Sequence, residues 1–282
     1  MDGFLIIDKP IGLSSHDVVS KIKKKLKLDK VGHTGTLDPF ASGLLILCVG
    51  KATKLAYLFS NEDKTYEGTL VFGKHYDTYD TTGKVLNQGP VELSDALIHH
   101  AMQHFVGHYE QIPPMYSAIK VEGQKLYDIA RRGETIDREP RDVMIYEFDK
   151  TSDYLNHSCD FYTRVSKGTY IRSLAVDLAK ELKTYGALSR LRRLSVGDID
   201  IKMAKKITEV TEEDILTLEK YFMDMPSITL NDYMIKLVKN GVYLDERQIK
   251  TTQPFIVRDS NANMIAYYTI QEGYTYRPVV IF

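Results

Sequence analysis

Asp38 is the residue whose surroundings most suggest chemistry. It lies in the glycine-rich segment GHTGTLDPFASG (residues 32–43), directly before the apolar run LLILCV (residues 44–49). Glycine and proline shape the turn, and the apolar run has the length and composition of a buried strand. A carboxylate on a shaped turn beside a rigid core is held where it can act on a substrate. Aspartate before proline is also common turn chemistry, so the pattern alone leaves a purely structural Asp38 open.

Three familiar motifs built from similar residues do not fit. The spacing of Gly32 and Gly35 lacks the Gly-Lys-Ser/Thr ending of a phosphate-binding loop and the third glycine of a dinucleotide-binding fingerprint. The segment DTTG (residues 80–83) has one threonine more than the Asp-Thr-Gly of aspartic proteases, and it has no second copy. The sequence therefore gives no motif for nucleotide-dependent chemistry or for an aspartic protease.

Composition places the chain among ordinary globular proteins. It has 282 residues, of which 43% are hydrophobic and 27% charged, enough for one large domain with or without a small appendage. Two isolated cysteines form neither a disulfide framework nor a zinc cluster. We find no signal-peptide pattern at the N-terminus and no apolar run of membrane-spanning length. These features predict a cytoplasmic protein without a membrane partner.

The charge distribution says more than the net charge of -1. Basic residues concentrate in residues 21–30, 131–141 and 190–193, and acidic residues balance them elsewhere. A single basic cluster is most often a solvated surface. Three clusters that flank the same candidate site favour contacts with phosphate groups.

Helical spacing occurs at two places. Ser14 and Asp17 have the spacing of a capping box, and an apolar stripe with lysines outside it follows over residues 18–26. In residues 93–105, Leu97, Ala101 and Phe105 share one stripe, which predicts a second helix.

Strand-like alternation follows in the second half of the chain. In residues 143–148, Val143, Ile145 and Glu147 alternate with their neighbours, and in residues 159–165 one side holds Cys159, Phe161, Thr163 and Val165. Strands and helices interleave without a regular βαβ rhythm, which predicts an α+β fold with a mixed, mainly antiparallel sheet flanked by helices and loops. Residues 208–226 are acidic and weakly patterned, and we expect a domain edge there. The predicted domains are residues 1–226 and a small β-rich module, residues 227–282.

Several blocks in order resemble the TruB family of tRNA pseudouridine synthases, over most of the chain. The Asp38 segment is one of them, and Pro10 is followed at family spacing by Gly12, Ser14 and Ser15. The other blocks are DKP (residues 8–10), KTY (64–66), DTYD (77–80), PPMYSA (113–118), SKGTYIR (166–172) and LRRL (191–194). The family implies the pseudouridine synthase fold and isomerisation of uridine to pseudouridine at position 55, in the T-loop of tRNA.

The resemblance assigns catalytic roles to Asp38, Tyr66 and Arg172. Asp38 supplies the carboxylate and Arg172 pairs with it, whereas Tyr66 stacks on the target base and is a candidate base at C5. The reaction moves one bond within the nucleoside without redox change, so no cofactor and no metal is implied. The residues leave open whether Asp38 attacks the sugar, attacks the base or assists deprotonation. Without the family, Tyr66 reads as a packing tyrosine.

Further residues match family positions around the base. Tyr170 contacts the flipped uridine, Leu191 packs against it, and His33 occupies the space that it leaves. Lys9, Lys54 and Asp80 match supporting positions. On pattern alone, Leu191 reads as a core leucine and His33 as a capping or core histidine.

The resemblance also implies how the RNA is held. Residues 108–142 correspond to an insertion that clasps the T-arm, and the C-terminal module corresponds to a short PUA-like RNA-binding module. The expected RNA contacts are Tyr116, Lys120, Arg131, Arg132 and Arg193. Flipping the uridine costs a few kcal/mol, which these contacts must offset. The implied partner is the T-arm of tRNA, the chain is expected to act as a monomer, and no obligatory protein partner is expected.

Two other functions remain as alternatives. An RNA-binding or RNA-folding protein would use the same surface without catalysis, but it has no physical reason to keep a bare carboxylate beside anionic RNA. An enzyme dependent on a metal or a nucleotide lacks a supporting motif. Asp38 is therefore the residue that separates these hypotheses.

Overall fold

A computed structural model describes residues 1–121 and 123–282 of the chain. Its strands, in chain order, are β1 (Gly3–Lys9), β2 (Val31–His33), β3 (Ser42–Val49), β4 (Lys64–Phe72), β5 (Lys74–Tyr76), β6 (Val85–Gln88), β7 (Gly107–Gln111), β8 (Lys120–Val121), β9 (Gln124–Lys125), β10 (Arg141–Lys150), β11 (Ser158–Val165), β12 (Gly186–Val196), β13 (Ile199–Asp200), β14 (Lys205–Lys206), β15 (Leu216–Thr217), β16 (Ser227–Thr229), β17 (Phe255–Arg258), β18 (Met264–Glu272) and β19 (Thr275–Ile281).

Its α-helices are α1 (Ser15–Lys25), α2 (Tyr57–Ser60), α3 (Asp95–His104), α4 (Leu126–Arg131), α5 (Ile171–Glu181), α6 (Leu218–Tyr221) and α7 (Asp232–Lys239). Short 3-10 helices span Gly50–Leu55, Ile201–Met203 and Glu212–Asp214. The capping box predicted before α1 is confirmed, because the Ser14 side chain accepts from the Asp17 N–H and the Asp17 carboxylate accepts from the Ser14 N–H.

One large sheet organises the chain. Its main path runs β14-β1-β3-β12-β4-β11-β10-β7, and β2, β13 and β15 pair at its side. All neighbours are antiparallel except the pairs β1–β14 and β3–β12. A second sheet, β16-β17-β18-β19, forms the C-terminal module. The predicted α+β class with a mixed, mainly antiparallel sheet is confirmed.

Strands β1 and β3 are buried on both faces. Leu5 and Leu45 belong to the core that covers α1, α3 and α5, whereas Phe4 and Ile46 belong to a second core that includes Tyr267 of the C-terminal sheet. A strand covered on both sides has no polar face, which explains the uninterrupted apolar runs in the sequence. Because β3 follows the Asp38 loop directly, the loop ends in a strand that is buried on both faces.

The helix predicted in residues 93–105 and the strand predicted in residues 143–148 are present, but their buried faces do not follow the simple patterns. In α3, Ile98, Ala101 and Met102 are buried, and Leu97 is 54% exposed. In β10, the register against β11 shifts between Ile145 and Glu147, so Phe148 turns into the core and Glu147 turns outward. The alternation predicted for residues 159–165 is confirmed.

The acidic stretch at residues 208–226 packs against both cores. Val210 and Ile215 are buried in the main core, and Leu218 and Phe222 are buried in the second core beside β1. Many charged residues separate these four apolar positions, so the sequence shows no clear apolar pattern there.

Both cysteines are buried as free thiols, Cys48 in β3 and Cys159 in β11. Burial raises the pKa of Cys48 to about 12 and that of Cys159 to about 11. No helix within residues 1–121 or 123–282 is long and apolar enough to cross a membrane.

Candidate active site

The loop between β2 and β3 carries Asp38 and is anchored from α1. The Leu37 N–H donates to the hydroxyl of Ser15 (2.8 Å), and this hydroxyl donates to the Leu37 carbonyl (3.1 Å). The Gly12 N–H donates to the Pro39 carbonyl (2.7 Å). These bonds fix the main chain on both sides of Asp38, whose side chain remains 34% exposed.

Arg172, in the first turn of α5, pairs with Asp38. Its Nε lies 2.7 Å from Asp38 Oδ2. Its Nη1 donates to the Thr78 carbonyl (2.7 Å) and its Nη2 to the Tyr116 carbonyl (2.8 Å). The buried guanidinium is thereby paired in charge and hydrogen-bonded on three sides, as a buried cation requires.

A cavity of about 280 Å³ opens beside this ion pair. Tyr66 of β4, Leu191 of β12 and Tyr170, which precedes α5, line it together with Asp38 and Arg172. Among the lining residues that the structure describes, Asp38 is the one carboxylate. An aromatic ring, an apolar side chain and a carboxylate in one cavity of this size suit a single nucleoside.

The comparisons with known proteins agree with this geometry. Residues 23–171 match the family described as "TruB family pseudouridylate synthase (N terminal domain)". The chain is 52% identical, over all of both chains, to "tRNA pseudouridine synthase B" of Aster yellows witches'-broom phytoplasma (strain AYWB). It is 50% identical, over 95% of both chains, to the protein of that name from Acholeplasma laidlawii (strain PG-8A). The chain belongs to the TruB family of pseudouridine synthases.

A solved structure shares the TruB-family fold. The "Crystal Structure of a Cbf5-Nop10-Gar1 Complex" contains a chain that superposes with a TM-score of 0.68 at 25% identity. The match covers 96% of the present chain and 79% of the other.

Lys9 and Asp80 bind main-chain groups of segments near the cavity. Lys9 is fully buried, and its Nζ donates to the carbonyls of Pro10 (2.9 Å) and Leu13 (2.6 Å). Burial lowers the pKa of Lys9 to about 8, although the negative charge of Asp38 opposes that shift. Asp80 accepts from the Thr82 N–H (2.9 Å) and thereby shapes the turn whose Thr78 carbonyl binds Arg172.

Lys54 and His33 lie away from the cavity lining. Lys54 is exposed on the 3-10 helix Gly50–Leu55, and the structure does not bring it to Asp38. His33 ends β2, five residues before Asp38 in the sequence. Its Nδ1 is buried and makes no hydrogen bond within the described part of the chain. Burial, followed by the charges of Arg193 and His16, lowers the pKa of His33 and favours the neutral ring.

Arg193 differs from the RNA contact that we expected. It is 3% exposed, and its guanidinium donates to the carbonyls of Leu44 (2.8 Å) and Gly35 (3.3 Å). Its main chain also passes so close to Gly43 that a side chain there would collide with the Arg193 carbonyl oxygen. Arg193 therefore braces the two ends of the Asp38 loop and has almost no surface for an external phosphate.

The other expected RNA contacts lie in the insertion. Lys120, Arg131 and Arg132 are exposed around a shallow depression beside α4. Arg132 is paired with Glu134 (2.8 Å), so Lys120 and Arg131 carry less compensated charge. Tyr116 uses its main-chain carbonyl on Arg172, which joins the insertion to the ion pair.

Three polar residues of this site had no predicted role. Ser15 fixes the Asp38 loop, Lys64 lines the cavity, and Gln111 binds the main chain of Tyr170. The Lys64 ammonium donates to the Ser60 carbonyl (2.9 Å) and also to that of Glu62. Their bonding partners are mainly main-chain atoms, which leave no mark in the sequence. Lys64 and Ser15 did stand inside blocks that carry the family resemblance.

No group of three or more His, Cys, Asp or Glu side chains is arranged for a metal ion among residues 1–121 and 123–282. Cationic charge at the cavity comes instead from side chains such as Arg172, Lys64 and Arg193.

Proposed function

We propose that this TruB-family chain isomerises uridine to pseudouridine at position 55 in the T-loop of tRNA. One observation carries the proposal. Asp38 is held 2.7 Å from Arg172 at a nucleoside-sized cavity, in a chain 52% identical from end to end to a tRNA pseudouridine synthase B. The target uridine must leave its stack to enter such a cavity.

The reaction rearranges bonds within one nucleoside and needs no second substrate. The bond between C1′ and N1 breaks, C1′ joins C5 of the same uracil, the C5 proton leaves, and N1 gains a proton. Atoms and electrons balance within the nucleoside and water, so neither an oxidant nor a group donor is required. The enzyme has to supply an oriented carboxylate, a base near C5 and a platform that holds the detached uracil.

The side chains at the cavity can meet these needs. Asp38 supplies the carboxylate, and Arg172 keeps it charged and oriented. Tyr66 supplies the stacking face and a phenol near C5, and Tyr170 and Leu191 enclose the base. His33, outside the cavity lining, fills the gap that the uridine leaves in the T-loop. Lys9 and Asp80 act indirectly, through the loops that carry the reacting groups.

We assign the remaining parts of the chain to RNA binding. Residues 1–226 form the catalytic domain, residues 108–142 clasp the T-arm through Tyr116, Lys120, Arg131 and Arg132, and residues 227–282 form a PUA-like module. We also propose that the chain acts as a monomer, in the cytoplasm, where its tRNA substrate is found.

A tritium-release assay tests the function. T-arm RNA that carries tritium at C5 of its uridines is incubated with the protein without added metal. We expect release of tritium to water from this RNA, because the C5 proton is lost during isomerisation.

The control is the same RNA with cytidine at position 55. Equal release from both RNAs would contradict the proposed position, and no release from either would contradict the reaction.

A further inference from the structure

Ser117 carries a buried hydroxyl that makes no regular hydrogen bond to the described residues. Ser117 lies in the insertion between β7 and β8, is 5% exposed, and lines the same cavity as Asp38. Its Oγ makes no hydrogen bond to any residue that the structure describes. Buried hydroxyls are normally bonded, and one left free at a catalytic cavity points to a bond made with the substrate.

The main chain around Ser117 is fixed. Its N–H donates to the Met115 carbonyl (2.9 Å), and its own carbonyl accepts from the Tyr127 N–H (3.1 Å). The preceding carbonyl, of Tyr116, accepts from Arg172 (2.8 Å). The hydroxyl is therefore presented at a defined place relative to the Asp38–Arg172 pair, as a binding group must be.

Tyr170 places a second hydroxyl beside it. The Ser117 hydroxyl is close enough to lower the pKa of the Tyr170 phenol, against burial, which is the larger effect and raises it. The two groups do not reach the distance and angle of a regular hydrogen bond. The Ser117 and Tyr170 hydroxyls are therefore neighbours, and each can still form a hydrogen bond with a ligand.

Three of the four cationic side chains that line the cavity are already engaged, and the fourth, Arg141, is exposed. Arg172 binds Asp38 and two carbonyls, Arg193 binds the carbonyls of Leu44 and Gly35, and Lys64 binds main-chain carbonyls before β4. A buried uracil brings two carbonyl oxygens and one N–H that also need partners, since burying them unpaired weakens binding. The Ser117 hydroxyl can donate to the oxygens or accept from the N–H.

We propose that the Ser117 hydroxyl, with that of Tyr170 beside it, hydrogen-bonds to the polar edge of the target uracil. The proposal rests on the proposed function, because it takes uridine as the substrate. The insertion then has a second role, since it completes the nucleoside pocket as well as clasping the RNA.

The test compares two T-arm RNAs, one with uridine and one with an abasic site at the target position. For Ser117→Ala, we expect affinity for the uridine RNA and kcat/KM to fall about three- to tenfold, the range for one neutral hydrogen bond. The affinity of Ser117→Ala for the abasic RNA should stay within about twofold of wild type, because this RNA has no base with which the Ser117 hydroxyl could bond.

Ser173→Ala is the matched control. The Ser173 hydroxyl is also buried and binds the same segment, through the Ile112 carbonyl (2.8 Å). It is not part of the cavity lining. Its loss should lower stability yet preserve the ratio of the two affinities. Tyr170→Phe combined with Ser117→Ala should lose less than the sum of the single variants, if both hydroxyls serve one base.

The outcomes separate the two proposals. Absence of tritium release from wild type would refute the proposed function. Release by wild type, with Ser117→Ala unchanged for both RNAs, would refute the role of Ser117 alone. An equal loss of affinity for uridine and abasic RNA would also refute it, because the hydroxyl would then serve the loop or the backbone and not the base.

Discussion

A single guanidinium, that of Arg172, joins three segments that are distant in the sequence. It binds the Asp38 carboxylate, the Thr78 carbonyl and the Tyr116 carbonyl. A lysine at this position would offer a point charge and could not reproduce the planar fork. The orientation of Asp38 therefore depends on a side chain whose own position is fixed by the insertion and by the Asp80 turn.

Asp38→Asn keeps the size of this side chain and removes its charge. We expect tritium release to fall below detection, because the amide cannot act as nucleophile or base. Affinity for tRNA should change by less than about tenfold, or roughly 1.4 kcal/mol, since most RNA contacts lie elsewhere. Tritium release and filter binding measure the two effects.

Asp153→Asn, at an exposed carboxylate away from the cavity, serves as the control and should behave as wild type. Full activity of Asp38→Asn would refute the role of the carboxylate.

Lys9 makes a pH-dependent contribution to stability. Its folded pKa of about 8 lies below that of a free lysine, so the unfolded chain binds more protons between these two values, and stability rises with pH there. Lys9→Met lacks this term. We expect the stability deficit of Lys9→Met relative to wild type to widen by about 1.5 kcal/mol between pH 8 and pH 9.5.

Urea unfolding of both proteins at the two pH values measures this difference. Groups common to wild type and variant, such as Lys64, cancel in the comparison. A deficit that stays constant or narrows would show that Lys9 does not titrate in this range.

At the scale of elements, β7 connects the insertion to the start of α5. Gln111, 1% exposed at the end of β7, accepts from the Tyr170 N–H (2.6 Å) and donates to the Tyr170 carbonyl (3.0 Å). Next to it, the Ser173 hydroxyl binds the Ile112 carbonyl. The segment around Gln111 and Ile112 is therefore bonded directly to the elements that carry Tyr170 and Arg172.

Gln111→Met retains the length of the side chain and removes both hydrogen bonds. We expect stability to fall by about 2 kcal/mol, because the Tyr170 N–H loses its partner and the Tyr170 carbonyl keeps only the Leu174 N–H. We also expect slower tritium release at saturating RNA, because Tyr170 is less well positioned. Urea unfolding and single-turnover kinetics give the two readouts.

Gln103→Met is the matched control. Gln103 also binds main chain, at the Phe148 carbonyl (3.2 Å), but it lies on α3 away from the cavity. A stability loss without a slower reaction in Gln111→Met would show that the insertion does not position Tyr170.

Sequence patterns predicted elements better than faces. The alternation at residues 159–165 was right because β11 is regular there, whereas the bulge in β10 reversed the side chains after Ile145. In α3, the stripe through Leu97 and the stripe through Ile98 both have helical spacing. Contacts with β10 and α5 choose between them, and no local pattern contains that information.

For the site, too, the sequence predicted local features better than contacts between distant segments. The shaped loop around Asp38 was recognisable from its glycines and proline, but its pairing with Arg172 came from the family resemblance, because no spacing rule links positions so far apart. Gln111 acts through bonds to main chain, and Ser117 through its proposed bond to the substrate, and neither kind of contact follows a sequence pattern. Arg193 looked like one of three exposed arginines, and only its burial beside Gly35 and Leu44 revealed a bracing role.

At the scale of the whole molecule, the C-terminal sheet shares a core with the central sheet. Tyr267 and Phe222 stack with ring centroids 4.8 Å apart, in a cluster that also contains Phe4 and Ile46. The proposed division at residue 226 therefore separates parts that bury each other's apolar surface. We expect the chain to unfold in one cooperative transition.

Tyr267→Ala tests this coupling. Removing the buried ring should lower stability by about 3–5 kcal/mol and shift the whole thermal transition down without splitting it. Circular dichroism follows the transition, and loss of tritium release after heating should occur over the same temperatures.

Tyr243→Ala is the control, because this tyrosine of the same module is 56% exposed and should change stability by less than about 0.5 kcal/mol. Two separate transitions in Tyr267→Ala would contradict a shared core.

The two buried cysteines can report on unfolding of the enzyme. Alkylating reagents attack thiolates, and burial keeps Cys48 and Cys159 protonated and out of reach. Iodoacetamide should therefore mark only molecules that have opened. Cys48 lies in the core shared with the C-terminal sheet and Cys159 in the main core, so the order in which they are marked would reveal which half of the sheet opens first.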